Sequence, residues 1–302
     1  MFEHLSNHKG AFSNKEVIGK AKELFLDLTK GKTPAAQPGV VFMGGLPGAG
    51  KSQATKRLEN SKQFGGNIIK VDLDDYREHH PQIDEIRAND RLPGVRNPER
   101  SYYSEQTGDF AWRVSEELTA MLREAKYNVI IDGTLRDPES TIKKADAFKA
   151  MGYSTSLVEV VATDKEVAWQ GTVDRYNDML QKEKEALALG LEPEEYPRSV
   201  SRGYFETVIG DLPKSVSELH KSGKFDRIRL VDRAAKEHYN SLKTPDLDPY
   251  EKAYELIAKD KGRVQEGGGR TSMKGLLKKA HEQGEKASIK PRTPDMSKQP
   301  VQ

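Results

Sequence analysis

Apolar residues at Val17, Ile18, Ala21, Leu24, Phe25 and Leu28 recur at helical intervals and predict an amphipathic helix over 14–30. Ser13-Asn14-Lys15-Glu16 supplies the pattern of a capping box at its start. The segment GKTPAAQPG then breaks the helix, and VVFMGG (Val40 to Gly45) reads as a short buried strand. Similar apolar runs follow at NIIKV (Asn67 to Val71), NVIID (Asn128 to Asp132), TSLVEVVA (Thr155 to Ala162) and RIRLV (Arg227 to Val231). Helical stretches lie between them. The longest, Ser101 to Lys126, carries Phe110, Val114, Leu118, Met121 and Leu122 on one stripe; shorter ones cover Ser140 to Met151 and Asp164 to about Lys184. Buried strands alternating with helices require crossover connections, so the predicted class is α/β, with a mainly parallel central sheet and helices on both faces.

Two stretches depart from this rhythm. GLEPEEYPR (Gly190 to Arg198) breaks a late helical region with proline and acid, and predicts a mobile loop before a helix that starts at Ser199. From Lys261 large apolar residues become scarce and basic ones outnumber acidic ones, which predicts a flexible basic tail. The expected organisation is an N-terminal helix and linker over 1–38, a domain over 39–260, and the tail over 261–302.

Composition narrows the function classes. The 302 residues include 49 Lys and Arg against 47 Asp and Glu, a formal net charge of +2, so no chain-wide electrostatic grip on nucleic acid or membrane is expected. Cysteine is absent, which excludes disulfides, thiolate metal sites and a thiol nucleophile. The start MFEHLSNHKGAF lacks a basic segment followed by an apolar core, and no run approaches the length of a spanning helix; a cytoplasmic location is expected.

The chemistry begins at GLPGAGKS. Gly45, Leu46, Pro47, Gly48, Ala49, Gly50, Lys51 and Ser52 form G-x-x-x-x-G-K-S between an expected strand and the helical run QATKRLENS, the context a phosphate-binding loop needs. Its glycines let backbone N–H groups approach phosphate oxygens, and the helix N-terminus adds partial positive charge. Lys51 is expected on the β- and γ-phosphates and the Ser52 hydroxyl on Mg²⁺. The chain has no NKxD stretch after its first strand to read guanine, and no apolar strand ending in an Asp-Glu pair as in many ATPase motors. A small-molecule kinase is therefore the better reading.

A kinase needs a group to take the acceptor's proton and cations for the transferred phosphoryl. VDLDDYREHHP (Val71 to Pro81) supplies acid just after the second strand, and strand periodicity would put Asp72 and Asp74 on one side. A metal cage with His79 and His80, a solvated turn and a catalytic base are all open at this point, with Asp75 the most turn-like. Asp132, Thr134 and Arg136 in IIDGTLR sit where strand-end loops line a ligand crevice. Glu116 lies off the apolar stripe of its helix, and Arg175 and Arg198 could serve a phosphoryl group or merely pair with nearby carboxylates.

In order along the chain, GGLPGAGKS, VDLDDYREHHPQIDEI, NVIIDGTLR, KAMGYSTSLVEVVA, GTVDRYNDM, LHKSGKFDRIRLVDR and YNSLKTP together resemble the zeta-toxin family of bacterial toxin-antitoxin kinases, from about Val40 to Pro245. The resemblance implies an adenylate-kinase-like fold and ATP- and Mg²⁺-dependent phosphorylation of the 3'-hydroxyl of the sugar in UDP-N-acetylglucosamine. It implies a small helical antitoxin as partner. It also makes Asp74 the general base, Arg175 and Arg198 the pair that neutralises the γ-phosphoryl, and Glu116, Asp132, Thr134 and Arg136 residues of the sugar-nucleotide pocket. The family motif often has glutamate at the place of Asp132 and a hydroxyl residue at that of Asp75. That extra charge beside Asp74 is expected to raise a carboxyl pKa in the cluster. An insertion at Glu183 to Pro197 precedes Arg198. A kinase of the same architecture acting on a nucleotide, an antibiotic or NAD, and a nucleotide-controlled binding module without catalysis, are the alternatives.

Overall fold

The structure, a computed structural model, describes residues 12–258; the expected basic tail lies outside them. Helix α1 (Asn14–Leu28) opens on the expected capping box: Ser13 Oγ accepts from the Glu16 N–H, and the Glu16 carboxylate accepts from the Ser13 N–H at 2.7 Å. Its buried Val17 and Ala21 join the main core, and α1 packs on α4 (Tyr102–Glu124). The strands are β1 (Gly39–Gly45), β2 (Ile69–Asp72), β3 (Val129–Asp132), β4 (Ser154–Val160), β5 (Arg227–Val231) and β6 (Glu237–Asn240). They form one sheet in the order β2-β3-β1-β4-β5-β6, parallel except for the antiparallel β6.

The remaining helices are α2 (Lys51–Glu59), α3 (Ile83–Asp90), α5 (Pro138–Ala150), α6 (Lys165–Ala188), α7 (Arg202–Lys221) and α8 (Pro249–Ala258). Side-chain oxygens of Ser101, Asp137, Asp164 and Ser201 cap α4, α5, α6 and α7, satisfying N–H groups that a helix start leaves free. None of the described helices is long and apolar enough to cross a membrane.

Two features of this sheet position the site. First, parallel strands deliver their following loops to a common edge, and the order reverses at β1, which has β3 on one side and β4 on the other. The loop after β1 therefore sits at a crevice flanked by the ends of β2 and β3 on one side and β4 and β5 on the other. Second, β1 is buried along its whole length, and its Gly44 lies opposite Glu159 of β4. A Cβ on Gly44 would collide with the Glu159 carboxylate and with the Leu135 side chain, so only glycine lets the three pack.

Candidate active site

Residues 45–52 turn from the end of β1 into α2. Gly48 and Gly50 have φ of +75° and +99°, the left-handed region that a side chain would strain, and Gly50 is the N-cap of α2. Leu46 and Ala49 are buried and fasten the loop, Pro47 is half-buried, and Lys51 Nζ donates to the Gly45 carbonyl at 3.0 Å. Ser52 is exposed in the first turn of α2. The loop thus offers free backbone N–H groups, a helix N-terminus and an ammonium together, which is an anion site by construction.

Strand β2 stops at Asp72, and Leu73–His79 is a 3₁₀ helix. The strand alternation expected for Asp72 and Asp74 therefore does not hold. Asp72 caps the 3₁₀ helix instead, accepting from the Asp74 N–H at 3.1 Å, and its other oxygen pairs with Lys70 at 3.1 Å. In a 3₁₀ helix positions three apart eclipse, and Arg77 Nε accordingly reaches Asp74 Oδ1 at 2.7 Å. Arg77 is itself pinned to α4 by the Ser104 carbonyl at 2.8 Å and Thr107 Oγ1 at 3.1 Å. Arg198 Nε approaches the other Asp74 oxygen at 3.3 Å. Burial alone would push the Asp74 carboxyl up, but the guanidiniums of Arg198, Arg77 and Arg175 outweigh it and hold the group below the usual carboxylate range.

The sequence singled out Asp74, Arg175 and Arg198, and the fold brings them together from the end of β2, α6 and the loop before α7. Arg77 went unnoticed, although an arginine three places after an acid was a visible signal. Asp75, expected to be a solvated turn residue, is exposed but paired with Lys70 at 2.9 Å. His79 ends the 3₁₀ helix with Lys20 and Glu23 of α1 as its charged neighbours, while His80 is buried against Phe12 and Phe110 and takes the Gln82 N–H on Nδ1. Among the described residues no group of three or more His, Asp or Glu is arranged to hold a metal ion.

Asp132 ends β3 in register with Asp72 and with Met43 of β1. Burial pushes its carboxyl up to about 6; Lys51 opposes this, and Asp72 and Asp74 add to it. The charge crowding expected in this cluster falls on Asp75, whose carboxyl is pushed up by burial with Asp72 and Asp74 adding to it, while Asp74 itself has the arginines. Thr134 is half-buried in the loop that follows, and Arg136 is exposed with its guanidinium 5.3 Å from the Tyr204 ring centre on α7. Glu116 is placed differently. It is ion-paired with Lys144 of α5 at 2.5 Å, about 18 Å along α4 from the Ser104 carbonyl that holds Arg77. The structure does not bring it into the Asp74 cluster.

Glu159 escaped sequence reasoning because it sits in an otherwise apolar strand. It is 1% exposed, and among the described residues neither carboxyl oxygen has a hydrogen-bond partner. Burial pushes its pKa up to about 8, with Lys51 pulling against this and Asp132 adding to it.

The loop that carries Arg198 is anchored, which overturns the mobile loop expected at 190–198. Tyr196 is fully buried, its ring centre 4.4 Å from that of Tyr103, and with Ile86 and Tyr102 these form a second small core. The Tyr196 hydroxyl donates to Asp90 at 2.9 Å and accepts from Arg96 at 2.5 Å. Arg96 also pairs with Asp90 at 2.6 Å and with Glu183. Arg91 joins Glu183 at 3.0 Å to Glu192 at 2.5 Å. The insertion from Glu183 to Pro197 is therefore tied at both ends to α3 and to the segment after it.

A family model described as zeta toxin matches residues 23–244. Toxin zeta of Streptococcus pyogenes is 28% identical over 240 residues, 80% of this chain and 76% of that protein. Toxin PezT of Streptococcus pneumoniae is 29% identical over 206 residues, 68% of this chain and 73% of its own. Among solved structures, a chain of the PezAT chromosomal toxin-antitoxin system of Streptococcus pneumoniae superposes with a TM-score of 0.66 at 22% identity. The alignment covers 92% of this chain and 98% of that one.

Proposed function

The chain belongs to the zeta-toxin family, and on that premise we propose that it is an ATP-dependent kinase that phosphorylates the 3'-hydroxyl of the amino sugar in UDP-N-acetylglucosamine. The observation that carries the reading is the meeting of Asp74, Arg77, Arg198 and Arg175 beside a complete phosphate loop.

The chemistry follows from that arrangement. The loop N–H groups and Lys51 hold the β- and γ-phosphates of ATP. The acceptor hydroxyl gives its proton to Asp74 while its oxygen attacks the γ-phosphorus, and the bond from that phosphorus to the ADP oxygen breaks. Arg198 and Arg175 take the charge of the phosphoryl in flight. The Arg198 contact has a second consequence. A carboxylate held low is a weak base, and a γ-phosphate competing for Arg198 frees Asp74 from one of its cations. Nucleotide binding then strengthens the base at the moment it is needed. Arg77, held on α4, keeps the carboxylate aimed throughout.

Mg²⁺ fits the chemistry of this site: the Ser52 hydroxyl has no partner among the described residues and would hold the ion beside the phosphates, where it offsets their charge. Asp132, Thr134 and Arg136 would line the acceptor side, and the aromatic face of Tyr204 under Arg136 extends it. An antitoxin protein would hold this activity in check, in keeping with the toxin-antitoxin system in which the PezAT relative occurs.

Incubation with ATP, Mg²⁺ and UDP-N-acetylglucosamine should give a product heavier by one phosphate, detected by mass spectrometry, and Asp74→Ala should abolish it. Product from a nucleotide, an antibiotic or NAD but from no UDP-sugar would move the proposal to that acceptor. ATP binding with no phosphoryl transfer to any hydroxyl would end it.

A further inference from the structure

One cation beside the phosphate loop takes no part in the scheme above. Arg233 lies in the turn between β5 and β6, and that turn is stiff. Asp232 Oδ1 accepts from the Ala234 and Lys236 N–H groups at 2.9 and 3.0 Å, its Oδ2 meets His238 Nε2 at 2.8 Å, and its own N–H donates to the Lys236 carbonyl at 3.1 Å. From this base the Arg233 stem lies on the phosphate loop. Its Cγ stands 2.9 Å from where a Cβ on Gly50 would be, and its Nη2 stands 3.9 Å from the same point on Gly171 of α6. The residue is exposed, and among the described residues its guanidinium has no hydrogen bond, ion pair or ring contact. Arg91, Arg96, Arg198 and Arg202 are all engaged by carboxylates.

The sheet order says which part of a nucleotide would meet it. Asp74 and Asp132 follow β2 and β3, on one side of β1; Arg233 follows β5, on the other. In-line transfer places the attacking oxygen and the leaving ADP oxygen on opposite sides of the γ-phosphorus. With the acceptor on the Asp74 side, the remainder of the nucleotide runs from the loop toward β4 and β5. Phosphate charge is already met by the loop N–H groups and Lys51. What lies beyond is the nucleoside, and a planar, weakly hydrated guanidinium with a free face is suited to stack on a purine.

We propose that Arg233 is a nucleotide contact that packs its guanidinium on the purine base of the triphosphate, on the side of the phosphate loop away from Asp74. The inference rests on the nucleotide reading of that loop, and its test separates the two. Calorimetric titrations of the full chain and of Arg233→Ala with ATP and with inorganic tripolyphosphate supply four affinities. The wild type should bind ATP more tightly than tripolyphosphate. The substitution should weaken ATP about tenfold and leave tripolyphosphate unchanged. Equal weakening of both ligands would make Arg233 a phosphate contact and overturn the assignment to the base, and no weakening of either would overturn it altogether. A wild type that binds neither ligand would sink the reading of the loop itself. Arg233 is exposed, so the variant should keep the wild-type melting temperature, and that measurement accompanies the titrations.

Discussion

Lys51 finds its partner, the Gly45 carbonyl, six residues away in the chain, whereas Asp74 is held by Arg198 from 124 residues away. The two halves of the crevice are built on different principles. The phosphate loop is a local device: three glycines, a helix start and a lysine within eight residues, the glycines and the helix start acting through backbone N–H groups and the lysine through its ammonium. The acid side is an assembly. Asp74 comes from a 3₁₀ helix, Arg77 is aimed by α4, Arg175 stands on α6, and Arg198 hangs from a loop whose own support is a buried network around Tyr196. A local device tolerates change elsewhere in the fold; an assembly transmits it.

The largest effect should come from the centre of the assembly. Asp74→Ala removes the proposed base, and kcat should fall by roughly 10³. ATP affinity should hold or rise slightly, because Arg198, released from Asp74, is free for the γ-phosphate. A parallel loss of ATP affinity would show that the two halves are one unit. Arg198→Ala should come next, with a fall of about 10² in kcat, since on the proposed scheme Arg175 is left to meet the phosphoryl. Arg198→Lys should recover little of it, as a point charge cannot reproduce the guanidinium that reaches both Asp74 and Glu195.

Tyr196 tests whether the support transmits. Tyr196→Phe keeps the stacked ring but removes the hydroxyl between Asp90 and Arg96, leaving buried polar groups short of a partner at a cost of about 1–3 kcal/mol. Two residues later stands Arg198, so kcat should drop several-fold while the KM for ATP holds. A melting temperature lowered with kcat intact would mean that the network only stabilises the fold.

The same division explains what could be read from the sequence. The phosphate loop, the capping box of α1 and five of the six strands are announced by neighbours in the chain: a glycine pattern, Ser13 with Glu16, runs of Val, Ile and Leu. Strand β6 was missed because its residues, Glu-His-Tyr-Asn, pair at a sheet edge and have no apolar run to betray them. Helix α3 was missed because only its Ile86 and Asp90 are buried, which leaves almost no stripe. The supposed mobile loop failed for the opposite reason. GLEPEEYPR has the composition of a free loop, yet Tyr196 within it is buried by α3 and α4, and no local rule reports a partner so far away. At the site, spacing left the roles of Asp74, Arg175 and Arg198 open and the family resemblance assigned them, but neither showed their support, and Arg233 could not be noticed until the turn after β5 was laid against Gly50.

Glu159 sets the smallest predicted effect, and it sharpens the comparison most closely, because it is a carboxyl beside the same loop in the opposite state to Asp74. Asp74 is kept ionised by three guanidiniums; Glu159, sealed under Gly44 with only Lys51 to favour its charge, is pushed up to about 8. The sign of the consequence is fixed by which state holds the proton. Below the ordinary value of 4.5 both folded and unfolded chains carry it, so nothing is lost. Between 4.5 and about 8 the unfolded chain releases the proton and the folded chain keeps it, so folding loses stability as pH rises across that window. Above it the dependence on this group ends. Glutamine resembles the protonated acid and cannot titrate. Melting temperatures of Glu159→Gln relative to wild type should therefore climb as pH rises from 4.5 to about 8, then level off. A difference that stays flat across that range would mean that the folded chain releases the proton near the ordinary value, with the Glu159 carboxylate paired to Lys51 of the loop. In that case the carboxyl would belong to the phosphate-binding half of the crevice rather than to the core beneath it.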